Sequence, residues 1–394
     1  MVSRSRVTQA VGLQKQGKSL PKSGAISGGR RLAASAALSL STGCTPKKRL
    51  RRKTSISSVQ LAPCSRPVRE RHWLCLASDA KYYRSEITLF DMQTGLSIKT
   101  LGHLSDDEES TEIHDGRVCA LSVDWQKMIA VSGGSGGILK IWSLRSGKCM
   151  HTLIGNIAGE DVVFVSAHWT KQLMITASKT LRIWDLDSQT CKRTCIDHTG
   201  EFAYLQTHLK YTAVDWSAMR VLSSGEGNLA KLWNIETGEC LCTYLHRFTI
   251  GCPLALSCDA QVALCGAWIF EKAKPELHTL KLWCLDTGDC LCTFVGHSGL
   301  VTGVAVEWSS MRALSGSEDR SMKLWDLRTG ECISTMLTGS SEVWSVDVDW
   351  VASLAVSGNG NGELKLWNIE ICTCLLTCDE TSEGIGKVVL SRHS

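Results

Sequence analysis

The stretch LKLWCLDTGDCLCTF, residues 280–294, brings three thiols close in sequence: Cys284, Cys290 and Cys292. Those are the right atoms for a thiolate metal site or a redox pair. A structural zinc site, however, wants four donors converging from two knuckles, usually C-x2-4-C. In an extended strand, C-x-C sets both thiols on one face with no complementary pair opposite. GGSGG, 133–137, satisfies the G-x-S-x-G pattern of a nucleophilic serine. That elbow needs a strand-turn-helix setting, and the ILKIW that follows reads as a strand. SGNGNGE, 357–363, reads as the same kind of turn rather than a phosphate cradle. The eleven histidines show no H-E-x-x-H spacing. No catalytic residue, metal ligand or cofactor is therefore expected.

A fixed-period search explains the cysteines better. The segments ITLFDMQTGLS, LKIWSLRSGKC, LRIWDLDSQTC, AKLWNIETGEC, LKLWCLDTGDC, MKLWDLRTGEC and LKLWNIEICTC align on Phe90, Trp142, Trp184, Trp233, Trp283, Trp325 and Trp367. The anchors are 52, 42, 49, 50, 42 and 42 residues apart. Seven residues past each anchor come Ser97, then Cys149, Cys191, Cys240, Cys290, Cys332 and Cys374. Cys290 is thus a repeat position, and copies of one repeat do not gather around one ion. A second landmark, Trp125, Trp169, Trp216, Trp308 and Trp350, closes SVDW, SAHW, AVDW, AVEW and DVDW. Short β-rich runs and Gly/Ser/Asn/Asp turns separate the landmarks, so each unit reads as four short strands.

Four strands in about 42 residues, with G-H near the start and W-D near the end, resembles the WD-repeat family. The fullest match is GHSGLVTGVAVEWSSMRALSGSEDRSMKLWD, 296–326, and the resemblance covers 72–394. It implies an all-β, seven-bladed β-propeller. It also implies a hydrogen-bonded tetrad, complete only in the sixth unit as His297, Ser315, Asp319 and Trp325, the other units relying more on apolar packing. The ends of the chain fit a closed ring. Ser394 follows Trp367 by 27 residues, as Trp169 follows Trp142, while Trp73 precedes Phe90 by 17. The C-terminal strand is therefore expected to complete the first blade, removing an exposed edge.

Residues 1–72 hold 16 Lys/Arg against one acid, whereas 73–394 hold 27 against 38. A Ser/Arg-rich segment with little apolar pattern cannot offset its chain entropy, so 1–71 is expected to be a disordered basic tail before the propeller at 72–394. PKKRLRRK, 46–53, has the density of a nuclear signal, and the acid-free start also fits an organellar transit peptide. RRKTS, 51–55, fits a basophilic kinase site. A solvated tail with weak polyanion affinity is the third reading. Nineteen cysteines fit a reducing compartment, so the expectation is intracellular, cytoplasm or nucleus, with the organelle as alternative. No apolar run is long enough to span a membrane.

In the family, d–a and b–c loops share one rim, the top. The excess lengths fall in LSDDEESTEIHDG, DHTGEFAYLQTHLK and AWIFEKAKPELH, all assigned to that rim as insertions without periodic structure. Asp106, Asp107, Glu108, Glu109, Glu112 and Asp115 would favour a basic partner. Trp268 and Phe270, with Trp344, would supply aromatic anchors. The function expected is a non-enzymatic scaffold holding a protein or peptide there. The alternative, implied by W-D-x-R in the family, is a cullin-RING ubiquitin-ligase substrate receptor docking through WDLR 325–328, with Asp326 and Arg328.

Overall fold

The computed structural model describes residues 74–79, 86–102, 114, 116–154, 160–195, 211–224, 229–245, 254–269, 277–378 and 384–392. The tail 1–71 with its basic motifs, Trp73, the six acidic residues of 106–115, and Phe270 lie outside the described residues.

The described residues form seven four-stranded antiparallel sheets, each a meander. Strands are lettered a to d from the channel outward. Blade 2 shows the plan: a Val118–Asp124, b Ile129–Gly134, c Ile138–Ser143 and d Cys149–Ile154. The a strands of successive blades lie against one another all the way round. The architecture is a seven-bladed propeller.

Each blade is a middle layer, so both faces of its c strand are buried rather than one. In Leu181–Asp185 the side chains of Leu181 and Ile183 pack toward blade 4. The anchor Trp184 packs the other way, into the cluster shared with blade 2. Trp325 and Leu324 repeat this split between blades 5 and 7. Aliphatic residues facing forward and an aromatic facing back make each unit complementary to its own copy, and such head-to-tail contacts close into a ring.

Closure follows the expected route. Ile385–Leu390 is the a strand of blade 1, pairing antiparallel with Leu74–Asp79 through Leu76↔Val389 and Ala77↔Val388. The Leu74 amide donates to Ser391 Oγ at 2.9 Å, and the Ser391 amide returns to the Leu74 carbonyl at 2.8 Å. Blade 7 adds cross-blade acceptors: Asp347 takes the Leu390 amide at 2.9 Å, and Ser345 Oγ takes that of Val388 at 3.3 Å.

The cysteine strands depart from expectation. In every blade the c–d register shifts beside the anchor, as between Leu282 and Trp283. Cys290 sits in that bulge, is exposed, and donates to the Cys292 carbonyl at 3.4 Å; Cys292 is half-buried against the core between blades 5 and 6. The two thiols therefore differ in environment, because the extra residue of a bulge breaks strict alternation. Cys149, Cys191, Cys240, Cys332 and Cys374 make the same bond to the carbonyl two residues on. Blade 1 has Ser97 there and keeps the shift, so the bulge does not depend on the thiol.

Blade 5 corrects a second expectation. Its b strand runs Val262–Ile269 and its c strand Leu277–Cys284, with Trp268 paired to His278. Part of the extra sequence is thus strand, because the hairpin lengthens before it turns. No helix among the described residues is long and apolar enough to cross a membrane.

Candidate interaction surfaces

The sixth blade holds a chain of short hydrogen bonds. Trp325 Nε1–H donates to Ser315 Oγ at 2.8 Å, and Ser315 Oγ lies 2.7 Å from His297 Nε2. His297 Nδ1 lies 2.7 Å from Asp319 Oδ2. An indole N–H can only donate. The short contact then has the serine hydroxyl donating to Nε2, which leaves Nδ1–H for the carboxylate. Asp319 also accepts the Ser298 amide at 3.0 Å and the Ser321 hydroxyl at 2.6 Å. Burial alone would raise its carboxyl; the bonds from His297, Ser321 and Ser298 overcome this and hold it well below the usual range.

Ser, His and Asp in this order match a hydrolase triad in connectivity. The chemistry does not follow. Ser315 is fully buried at 0% exposure and its oxygen already accepts the indole N–H, so the nucleophile faces no substrate. The constellation ties strand d of blade 5, Cys290–His297, to blade 6.

Blade 2 carries three-quarters of the same device, which the sequence reading missed. His114 Nε2 lies 2.6 Å from Ser132 Oγ, and Trp142 Nε1 donates to that oxygen at 2.7 Å. Gly136 stands where Asp319 would be, so that position supplies no carboxylate to the imidazole. Burial, then the Lys140 charge, push His114 down to about 4. The signal was spacing: His114 precedes Trp142 by 28 residues, as His297 precedes Trp325. A preceding isoleucine instead of glycine, at the end of an acidic loop, concealed it.

Four further anchors keep their indole bond: Trp184 to Thr176, Trp233 to Ser223, Trp283 to Cys265 Sγ and Trp367 to Ser357, at 2.8–3.2 Å. These anchors thus keep one bond of the tetrad beside their apolar packing. In blade 1 both partners change together. Phe90 replaces the indole and Ala77, opposite Thr88, occupies the register position of the serine. Removing donor and acceptor as a pair leaves nothing unsatisfied.

Antiparallel meanders put b–c turns and d–a connections at one end of the blades, and a–b and c–d turns at the other. At the first rim, Trp344 lies in strand a of blade 7, Val343–Asp349, half-buried. Its indole rests on backbone: a Cβ on Gly384 would come within 2.5 Å of Trp344 Cζ3, and one on Gly360 within 3.2 Å of Cζ2. Trp344 Nε1 reaches Glu342 Oε2 at 3.4 Å. Partial desolvation, then the like charge of Glu342, raise the nearby Glu318 carboxyl. Trp268 lies at the same end of blade 5 by register.

At the other rim, Asp326 Oδ1 accepts the amides of Arg328 at 2.7 Å and Thr329 at 3.3 Å. Asp185, Asn234 and Asn368 cap their c–d turns in the same way. Asp326 thus has a turn-capping part shared by other blades, and Arg328 is exposed. Among the described residues no group of three or more His, Cys, Asp or Glu is arranged to hold a metal.

The fold defines the class: a closed seven-bladed propeller, a rigid ring presenting loops on two rims. The family model "WD domain, G-beta repeat" matches residues 288–326, which hold strand d of blade 5, strands a to c of blade 6 and the whole tetrad. That segment matches the WD-repeat family, and all seven blades share its four-strand plan. It is 27% identical over 211 residues to Autophagy-related protein 16 of Arabidopsis thaliana, covering 52% of this chain and 38% of that protein. It is 37% identical to Eukaryotic translation initiation factor 3 subunit I of Bombyx mori, covering 32% of this chain and 40% of that protein. To Small ribosomal subunit protein RACK1 of Brassica napus it is 33% identical, covering 31% and 40%. The chain spans about two fifths of the length of these curated relatives.

Proposed function

We propose that this chain is a non-enzymatic interaction scaffold, with the propeller beginning at residue 72 and holding a protein or peptide on the rim of its b–c turns and d–a connections. The observation that carries the reading is Trp344. A half-buried indole packed against two glycines keeps part of its surface accessible, a setting in which an aromatic side chain serves as a binding anchor. Glu342 and the raised Glu318 give its surroundings an acidic character that favours a basic partner. The acidic run 106–109, with Glu112 and Asp115, and the aromatic residues Trp268 and Phe270 extend the same chemistry in the sequence. The +15 tail supplies a separate, salt-sensitive contact to polyanions.

The test is affinity capture with the full chain. Trp344→Ala, Glu342→Lys, the Trp268→Ala/Phe270→Ala pair and neutralisation of 106–109 should each weaken partner recovery while the unfolding midpoint stays at the parent value. Full recovery by all four, with loss on changing a–b turns, assigns the partner to the opposite face. Recovery of ligase adaptors, abolished by Arg328→Ala, selects the ubiquitin-ligase alternative.

A further inference from the structure

The channel opens at the a–b rim into a cavity of about 710 Å³. Its wall takes one landmark tryptophan from each of four blades: Trp125, Trp169, Trp216 and Trp350. Trp125, Trp216 and Arg392 also line the channel segment beneath it, about 500 Å³, so they form the neck between the two spaces. A volume of this size is in the range of ligand pockets, and half-buried aromatic walls provide the apolar payload of such sites.

The charges at the mouth are sorted by sign. Its carboxylates are committed: Asp124 Oδ1 accepts the amides of Gln126 and Lys127, and Asp349 Oδ1 those of Val351 and Ala352. Both aspartates are buried, at 8% and 1% exposure. The exposed charges are cationic. Lys127 is exposed, and Arg392 pairs with Asp347 at 3.1 Å while its side chain stays 69% exposed. A guanidinium has five donors, so one ion pair leaves capacity for a second carboxylate. Val351, 78% exposed, extends the apolar floor outward.

We propose that this mouth is a second binding site, for an acidic peptide segment bearing an aromatic or branched aliphatic residue. The apolar side chain enters between the tryptophans and the carboxylates meet Lys127 and Arg392. A cationic ligand would face those two charges with no uncommitted carboxylate among the described residues that line the mouth. A polynucleotide would need a row of cations to track its phosphates, and the described lining of the mouth offers two, Lys127 and Arg392. The site is distinct from the Trp344 rim and opposite to it in charge preference.

The experiment incubates the full chain with an immobilised array of random ten-residue peptides and measures the best binders by fluorescence anisotropy, beside a ten-nucleotide oligouridine. The enriched peptides should combine Asp or Glu with Trp, Phe or Leu. Lys127→Glu should weaken them about ten-fold, as should Trp169→Ala, whereas Lys148→Glu, the same charge change in a c–d turn, should not. Each variant is compared at a parent-like unfolding midpoint, and Lys127→Glu suffices should Trp169→Ala fail to fold. The proposal is overturned by enrichment of basic or neutral peptides, by no enrichment, by tighter binding of the oligouridine, or by equal loss in Lys127→Glu and Lys148→Glu. Loss of the Trp344-rim partner has no bearing on these readouts, so the two sites fail separately.

Discussion

The carboxylate of Asp347 accepts the amide hydrogen of Leu390 at 2.9 Å, joining blade 7 to the strand that completes blade 1. The same side chain takes the Arg392 guanidinium. Asp347→Ala leaves a buried amide unpaired at the seam, and should cost about 1–3 kcal/mol. Urea unfolding of the full chain measures it. An unchanged midpoint would show that the seam is held by strand pairing alone. Deleting 385–394 should lower the midpoint far more than deleting 1–60.

His114 makes stability depend on mild acidity. Its folded pKa, about 4, lies below the ordinary 6.5, so the unfolded chain binds the extra proton first. Its contribution is complete above pH 6.5 and is lost as the pH falls toward 4, by up to about 3 kcal/mol from the size of the shift. His114→Gln should flatten the slope of stability against pH in that window. A slope identical to the parent's contradicts the assignment.

Asp319 acts in a lower window. Its carboxyl is depressed in the folded state, so its contribution is present above about pH 4 and declines as acid titrates it. Asp319→Ala should cost about 1–3 kcal/mol near neutrality, and its difference from the parent should shrink below that pH. A constant difference across the acid limb would mean that the carboxylate's charge is not what the tetrad uses.

Blade 1 invites a double-mutant cycle. Phe90→Trp introduces an indole N–H at the anchor, where Ala77 holds the register position of its serine partner, and Ala77→Ser introduces a hydroxyl without an indole. Combined, they should recover about 1 kcal/mol relative to the sum of the single changes. Thermal denaturation of the four proteins supplies the coupling energy. A value of zero would place Phe90 outside the geometry shared by the tryptophans.

The propeller was legible because an anchor, a bulge residue and a landmark recur at fixed offsets, and one period determines every inter-blade contact. The seam was legible because Ser394 and Trp73 complete the same spacing from opposite ends. His114 was not, since its dipeptide differs although its distance from Trp142 does not. The a–b mouth was hidden for another reason. Trp125, Trp169, Trp216 and Trp350 each read as packing within their own units, and only ring geometry brings the four around one cavity. Asp124 and Asp349 stand in the sequence only as part of SVDW and DVDW, and it is the turns they cap that take their oxygens out of play.

The bulge beside each anchor has a consequence at the circumference. Among the described residues each d strand is the outermost of its sheet, and several carry bare aliphatic side chains: Ile154 is 74% exposed, Val295 61% and Leu337 78%. Such an edge is a template on which a neighbouring molecule could zip and seed lateral polymers. A foreign strand advancing along it would lose step at the inserted residue, because the amide and carbonyl spacing no longer matches a regular ladder. Seven such interruptions, one per blade, break the regular ladder that lateral growth would need.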